Sequence, residues 1–474
     1  MSVLASRYLT AVETHFAALL TQGRPQRREG NFSAMWMSAV DLRTGTFPTT
    51  EPAAGKRVYR NIDAPRGCSL YWDQPAIAAA RLLGRTGRGH EAATATEAYI
   101  SEFLERSCSA TGLFLWGNHY FYRPDLDSVV KFHVDEEPFA VVPADEAGEL
   151  HEARPITPLW TAFWEVSPRA TREALRAMGR HHVFDAATGG FNRHADQRCD
   201  HAFIEAGGVL VESLAWLAAK DGDADTLDLA RRIAHFSFSH RGAATGLLEN
   251  NPTTNRWDKH VATTECGLWA GCLLRAAELT GAAELRDLAV EVVEAYLRFG
   301  YDVEAQTYAG MVRVADGERV RGLKETIYQP DDHVDFWHPL FPRHDYPFQF
   351  AGVCCDLLVQ TGKPLFAEAC RRWATALEQA LQTRGDRPIY AEHYGRAIHL
   401  LLQLGRVLDA PALVKRAHSL ADEALSTLGA DRLFRGHTTE ARYEAVDGVG
   451  YLCLALLELS GAIDRSEPEL QQFF

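Results

Sequence analysis

Five stretches of the chain concentrate side chains that do chemistry on polyhydroxylated molecules. The first is Trp116-Gly-Asn-His-Tyr-Phe-Tyr122, and the second is Gly189-Gly-Phe-Asn-Arg-His194 with the following Arg198 to His201. The third joins Leu248-Glu-Asn-Asn251 to Arg256-Trp-Asp-Lys-His260. The fourth is Tyr328-Gln-Pro-Asp-Asp-His-Val-Asp-Phe-Trp-His338, then His344-Asp-Tyr346. The fifth is Ala391-Glu-His-Tyr-Gly-Arg-Ala397, with Phe434-Arg-Gly-His437 and Tyr443-Glu-Ala-Val-Asp447. Aromatic rings mixed with Asn, Arg, His and carboxylates suit sugars, because rings cover C–H faces while polar groups read hydroxyls.

Several reactions fit that composition. β-Elimination at a uronic acid needs its carboxylate neutralised, a Tyr or His to take the C5 proton, and an acid for the leaving O4. Asn192, Arg193, His194, His260, Tyr394 and Arg396 contain every required type. Hydrolysis instead needs two carboxylates flanking the bond, one kept protonated; Glu249, Asp335, Glu392, Glu444 and Asp447 are candidates. Epimerisation or isomerisation by a His pair or a His–Glu pair is a third chemistry. A non-catalytic sugar-binding protein is the alternative of a different class.

The expectation taken forward is a lyase acting on uronic-acid-containing oligosaccharides, with His194, His260, Tyr394, Arg396 and Glu392 catalytic. Asn118, His119, Tyr120, Asn192, Arg193, Asn250, Trp257, His338, His393, Arg435, His437 and Tyr443 are expected to hold the substrate. Each also has a structural use. Asn192 to His194 could brace a turn after Gly189-Gly190, and Glu392 could be a favourable charge at a helix start. Asp332, His333, Asp335 and His338 have ligand-like chemistry without a ligand spacing. A divalent metal there is the minor alternative to a hydrogen-bonded loop, and no other cofactor is expected.

The elements that must position these groups repeat one theme. An apolar helix ends in a short turn and an amphipathic helix follows, as in Leu268 to Gly281 and then Leu285 to Leu297. Ala351 to Gly362 followed by Phe366 to Leu377 repeats it, with related breaks near Gly87, Ser167-Pro168, Asp221-Gly222 and Gly405. The first helix of each pair should be buried on most sides and the second should show water one face. The chain holds about fourteen such helices, or seven inner–outer pairs. Short turns lead from inner to outer helices and long polar connections lead back, so the long connections gather at one end. The expected architecture is one all-α domain over residues 1–474, an (α/α)6–7 toroid with long loops at one mouth.

Composition narrows the classes. Of 474 residues, 46% are hydrophobic, which suffices for a large core. A formal charge of -14 argues against non-specific nucleic-acid binding. No apolar run approaches the ~18 residues of a membrane span. Nine scattered cysteines without a Cys-x-x-Cys pair read as small core hydrophobes. Together with an N-terminus lacking an export pattern, they lead to the expectation of a cytoplasmic protein. Its expected partner is an oligosaccharide substrate, with homodimerisation left open.

Phe191-Asn-Arg-His194, Glu392-His-Tyr-Gly-Arg396, Phe434-Arg-Gly-His437 and Tyr443-Glu-Ala-Val-Asp-Gly-Val-Gly-Tyr451 resemble bacterial pectate-lyase-like proteins. The resemblance extends over most of the chain from about Trp116. It implies an α/α-toroid shared with uronate polysaccharide lyases, unsaturated glucuronyl hydrolases and acylglucosamine epimerases. It also implies Asn or Arg clamping a carboxylate with His or Tyr as base, which maps onto Asn192, Arg193, His194 and Tyr394. The paired aspartates of the glucuronyl hydrolases are missing, as are the Arg-rich and His motifs of the epimerases.

Overall fold

A computed structural model describes residues 3–48, 67–117, 120–131, 140–141, 151–196, 201–252, 259–321, 332–337, 346–429 and 432–474. Its helices are α1 (Val3–Gln22), α2 (Leu70–Arg85), α3 (His90–Arg106), α4 (Trp160–Val166), α5 (Pro168–His182), α6 (Ile204–Asp221) and α7 (Ala224–Ser239). They continue as α8 (Thr263–Thr280), α9 (Ala283–Gly300), α10 (Tyr346–Thr361), α11 (Pro364–Thr383), α12 (Ala391–Val407), α13 (Pro411–Leu428), α14 (Val449–Leu459) and the short α15 (Pro468–Gln471).

The even-numbered helices form the inner wall. Helix α8 is buried without a break from Thr263 to Leu274, whereas α5 buries only a stripe through Thr171, Ala174, Leu175 and Met178. That contrast separates an inner helix from an outer, amphipathic one. Inner helices pack in the order α2, α14, α12, α10, α8, α6. Helix α4 closes the circle: Leu159 N–H donates to Gln74 of α2 at 2.8 Å, and Trp160 Nε1 donates to Ser213 of α6 at 3.1 Å. The ring is an (α/α)7 toroid whose seventh hairpin joins the two ends of the chain, α1 packing on α14.

Small residues let the inner helices approach closely. A Cβ at Gly395 of α12 would come within 2.5 Å of the Tyr451 backbone on α14, and one at Gly450 within 2.3 Å of the Ala76 nitrogen on α2. Helix α8 ends where Gly281 adopts a left-handed φ of 73° and its N–H caps Ala277. The break expected at Gly405 is displaced. Helix α12 runs through it to Val407, and the glycine serves contact with α13, since a Cβ would lie 2.8 Å from Val414.

Turns from inner to outer helices are short, as at 222–223, 281–282 and 362–363, and connections back are long, as at 107–159 and 301–345. The link 384–390 is the exception and is short. The connections carry small antiparallel strand pairs, among them Tyr120–Arg123 with Ser128–Lys131 and His260–Ala262 with Met311–Arg313. The inner helices therefore all begin at the mouth, bringing their positive dipole ends together. Their first turns carry Asp73, Glu205, Glu265 and Glu392.

Two chain segments fill the ring's axis. Residues 152–159 enter the ring from the mouth, and 465–474 enter from the opposite end. They meet where Gln472 Nε2 donates to the Thr157 carbonyl. Thr157 Oγ1 also donates to Glu212 of α6 at 2.7 Å. The axis is packed with polypeptide. Among the described residues no helix is long and apolar enough to cross a membrane.

Candidate active site

Extended segments build the α4–α6 side of the mouth. Glu152 N–H donates to the Trp116 carbonyl at 3.0 Å, Ala153 N–H to Arg193 at 2.8 Å, and Arg193 N–H to His201 at 2.8 Å. Side chains alternate along such segments. Glu152 and Arg154 thus share one face, where they form an ion pair at 3.6 Å, while His151 points the other way. Tyr71 at the start of α2 and Glu205 at the start of α6 lie in the field of Arg154.

His194 stands opposite this pair. Its Nδ1 lies 3.9 Å from Glu152 Oε1, and its Nε2 accepts from Arg193 Nη2 at 3.3 Å. Burial, only partly offset by Glu152, pushes its pKa down to about 4. The side chain keeps 20% exposure, so a neutral imidazole reaches solvent between the Arg193 guanidinium and Glu152. The Arg193 guanidinium also lies over the Phe203 ring, 4.7 Å from its centroid.

Behind His194, a histidine pair fixes its own tautomers. His182 Nδ1–H donates to the Asn192 carbonyl at 2.9 Å, so His182 Nε2 accepts from His151 Nδ1–H at 2.7 Å. Burial lowers both pKa values, that of His182 to about 4. Asn192 Oδ1 receives the His194 N–H at 2.9 Å, which is the turn-bracing use. The Asn192 Nδ2 and both side-chain polar atoms of Asn250 are buried without a hydrogen-bond partner among the described residues. Asn250 adjoins the same wall, since its carbonyl accepts from Ile204 N–H at 3.0 Å. Tyr120 is buried beside Gly117.

The α12–α14 side is built differently. Arg396 Nε donates to Glu392 at 3.2 Å and Nη1 to the Phe473 carbonyl at 3.0 Å, with the guanidinium 4.0 Å from the Tyr451 ring centroid. Tyr394 turns away from the mouth, its hydroxyl donating to Glu423 of α13 at 2.7 Å. Burial raises its pKa to about 12. Tyr394 therefore braces the wall, and Glu392 and Arg396, also expected to be catalytic, form a buried pair with each other.

His393 and His437 pack edge-on and tilted against Tyr390, and Tyr443 is buried beside His15. Arg435 sits in the adjoining connection, its N–H donating to the Leu428 carbonyl at 2.8 Å. His260 lies opposite Arg313 in its strand pair, one inner helix round the ring from His194. Of Asn192, His194, His260, Tyr394 and Arg396, expected to share one cavity, Asn192 and His194 lie together, Tyr394 points to α13, and Arg396 lines a small cavity with Pro155, Ile156 and Thr157. Asn118, His119, Trp257 and His338 lie outside the described residues.

Of the residues with ligand-like chemistry, Asp332, His333 and Asp335 are described and His338 is not. Arg319 holds Asp302 and, at 2.7 Å, Asp332, while Asp335 makes a bidentate pair with Arg387 at 3.0 and 2.8 Å. Guanidinium groups occupy the places a cation would take. Among the described residues no group of three or more His, Cys, Asp or Glu is arranged to hold a metal.

Residues 82–206 match the model of a family described as periplasmic pectate lyase. The match spans about a quarter of the chain and contains His151, Glu152, Arg154, Arg193 and His194, but none of the α12–α14 cluster. No curated protein matches the sequence. Among solved structures, the chain is similar to a family 76 α-mannanase of Bacteroides thetaiotaomicron, at 9% identity and TM-score 0.44, over 84% of this chain and 87% of that one. An unsaturated glucuronyl hydrolase of Bacillus sp. GL1 is similar at 15% identity and TM-score 0.43, over 64% and 83%. A D-mannose isomerase is similar at 11% identity and TM-score 0.45, over 64% and 84%.

The family description overturns the expected cytoplasmic location and points to the periplasm. The thiols were a poor guide. Seven of the eight free cysteines described are buried, and burial shields a thiol from oxidants in any compartment.

The sequence reading passed over His151, Glu152, Arg154, His182, Tyr71 and Glu205. One signal was available: His151-Glu-Ala-Arg154 ends a charged stretch that begins at Asp145-Glu146 and stands immediately before Pro155.

Proposed function

We propose that the protein is a carbohydrate-active enzyme whose reaction centre is the α4–α6 wall of the mouth, and that it cleaves uronic-acid-containing oligosaccharides by β-elimination. The observation that carries this reading is the half-buried, neutral His194 held between Arg193 and Glu152. The substrate carboxylate would take the Arg193 guanidinium, neutralising its charge and making the C5 proton acidic. That exchange releases the lone pair of His194 Nε2, which then removes the C5 proton; the electron pair forms the C4–C5 double bond as the C4–O4 bond breaks, and the leaving oxygen takes a proton from solvent at the open mouth. The buried amides of Asn192 and Asn250 supply unsatisfied groups to read hydroxyls. The family match over this wall supports the same placement.

Hydrolysis is the second reading, with Glu152 and Glu205, both near Arg154, as its two carboxylates. Incubation with a panel of uronate oligosaccharides separates the two. Elimination yields ultraviolet absorbance from a 4,5-unsaturated product together with new reducing ends. Reducing ends without absorbance would replace elimination by hydrolysis.

A further inference from the structure

The end of the ring opposite the mouth holds a cleft of 680 Å³. Its walls are the C-terminal halves of α8, α10 and α12, and its remaining side is the 465–474 segment. Volumes of this order accommodate small organic ligands. Three glutamine amides face it, from Gln360, Gln403 and Gln471, with the ring of Phe474 beside them.

Two features mark it as more than a gap between helices. Gln403 is 3% exposed, and its Oε1 has no hydrogen-bond partner among the described residues. A buried acceptor left open costs about 1–3 kcal/mol, which a ligand hydroxyl would recover. Phe474 is held rigidly, stacked on His399 at 4.1 Å between centroids and 9° between planes. A fixed ring next to amide groups is the pairing that covers a sugar's C–H face while reading its hydroxyls.

Most charges at the cleft are balanced within the protein. Arg275 makes two 2.8 Å bonds to Glu212, and Arg465 pairs with Asp356 at 2.7 Å. Arg286 pairs with Asp287 at 3.1 Å, which leaves the neutral amides and the Glu278 carboxylate as the groups available to a ligand, and that carboxylate repels an anionic sugar. We propose that this cleft is a second binding site, specific for a small neutral saccharide and separate from the mouth. It also has a physical link to the mouth. Glu212, held by Arg275, accepts from Thr157, the inner end of the segment that carries Glu152 and Arg154.

Calorimetric titration of the full chain with D-glucose, D-galactose, D-mannose and cellobiose tests this site. D-glucuronate serves as the charged comparison. At least one neutral probe should bind. Its affinity should fall about five- to tenfold, one neutral hydrogen bond, in Gln403→Leu and in Gln471→Ala, and stay unchanged in the mouth variant Arg193→Ala. Gln471 is exposed, so its variant carries the test if Gln403→Leu misfolds. No binding by any neutral probe at millimolar concentration overturns the proposal. So does binding weakened by Arg193→Ala but not by the cleft variants, or D-glucuronate preferred over every neutral probe.

Discussion

The two walls of the mouth are made from the same residue types and behave in opposite ways. On the α12–α14 wall, Arg396 is 4% exposed and Glu392 2%, and the pair is bonded to itself, to the Phe473 carbonyl and to a tyrosine face. On the α4–α6 wall, His194 keeps contact with solvent and has a strongly depressed pKa. The difference lies in what each wall must hold. Arg396 fastens the segment that fills the ring's axis, whereas the extended segments 151–153 and 193–195 satisfy each other through backbone bonds, and beside the buried Glu152–Arg154 pair His194 stays in contact with solvent.

The largest expected contrast is in catalysis. His194→Gln should lower the rate of oligosaccharide cleavage by about 10²–10⁴, the range for a general base. Its unfolding free energy should move by less than about 1 kcal/mol. In the native protein the rate should stay level above pH 5 and fall through an acid limb near 4, because His194 works as the neutral base. A limb at the ordinary histidine value of 6.5 would assign the proton transfer elsewhere.

Arg396→Ala reverses the pattern. Removing one partner of a buried ion pair costs about 3–5 kcal/mol, so urea unfolding should shift by that amount while residual folded protein stays active. Next comes acid sensitivity. His15 is fully buried and burial lowers its pKa to about 3. Below the ordinary value of 6.5 the unfolded state binds the proton and the folded state does not, so stability is complete above pH 6.5 and declines as pH falls toward 3. His15 alone should account for about 3 kcal/mol between pH 6.5 and 4, measurable as a falling melting temperature. His15→Phe should flatten that decline. The smallest effect belongs to Tyr394→Phe, which loses its bond to Glu423, about 1 kcal/mol, with cleavage unchanged.

Much of the fold was legible because hairpin alternation leaves a local signature. Continuous apolar runs and amphipathic stripes gave the inner and outer helices, and loop lengths gave the mouth, except at 384–390. Packing of the axis was not legible, because 152–159 and 465–474 carry no periodicity and their partners lie far away in sequence. Glycine at 405 misled because a helix-packing glycine and a helix-ending one look alike without the neighbour at Val414. The second histidine stretch was found from composition. Its carboxylate and guanidinium partners, Glu152 and Arg154, depend on backbone pairing across forty residues and could not be. Tyr394 and Arg396 show the converse, since residue type does not reveal which way a side chain leaves its helix.

The most direct test compares His194→Gln and Tyr394→Phe side by side on uronate oligosaccharides, following ultraviolet absorbance and reducing ends together. The account predicts that His194→Gln loses both signals at full stability while Tyr394→Phe retains them. Retained cleavage in His194→Gln together with its loss in Tyr394→Phe would move the reaction to the α12–α14 wall and contradict the account.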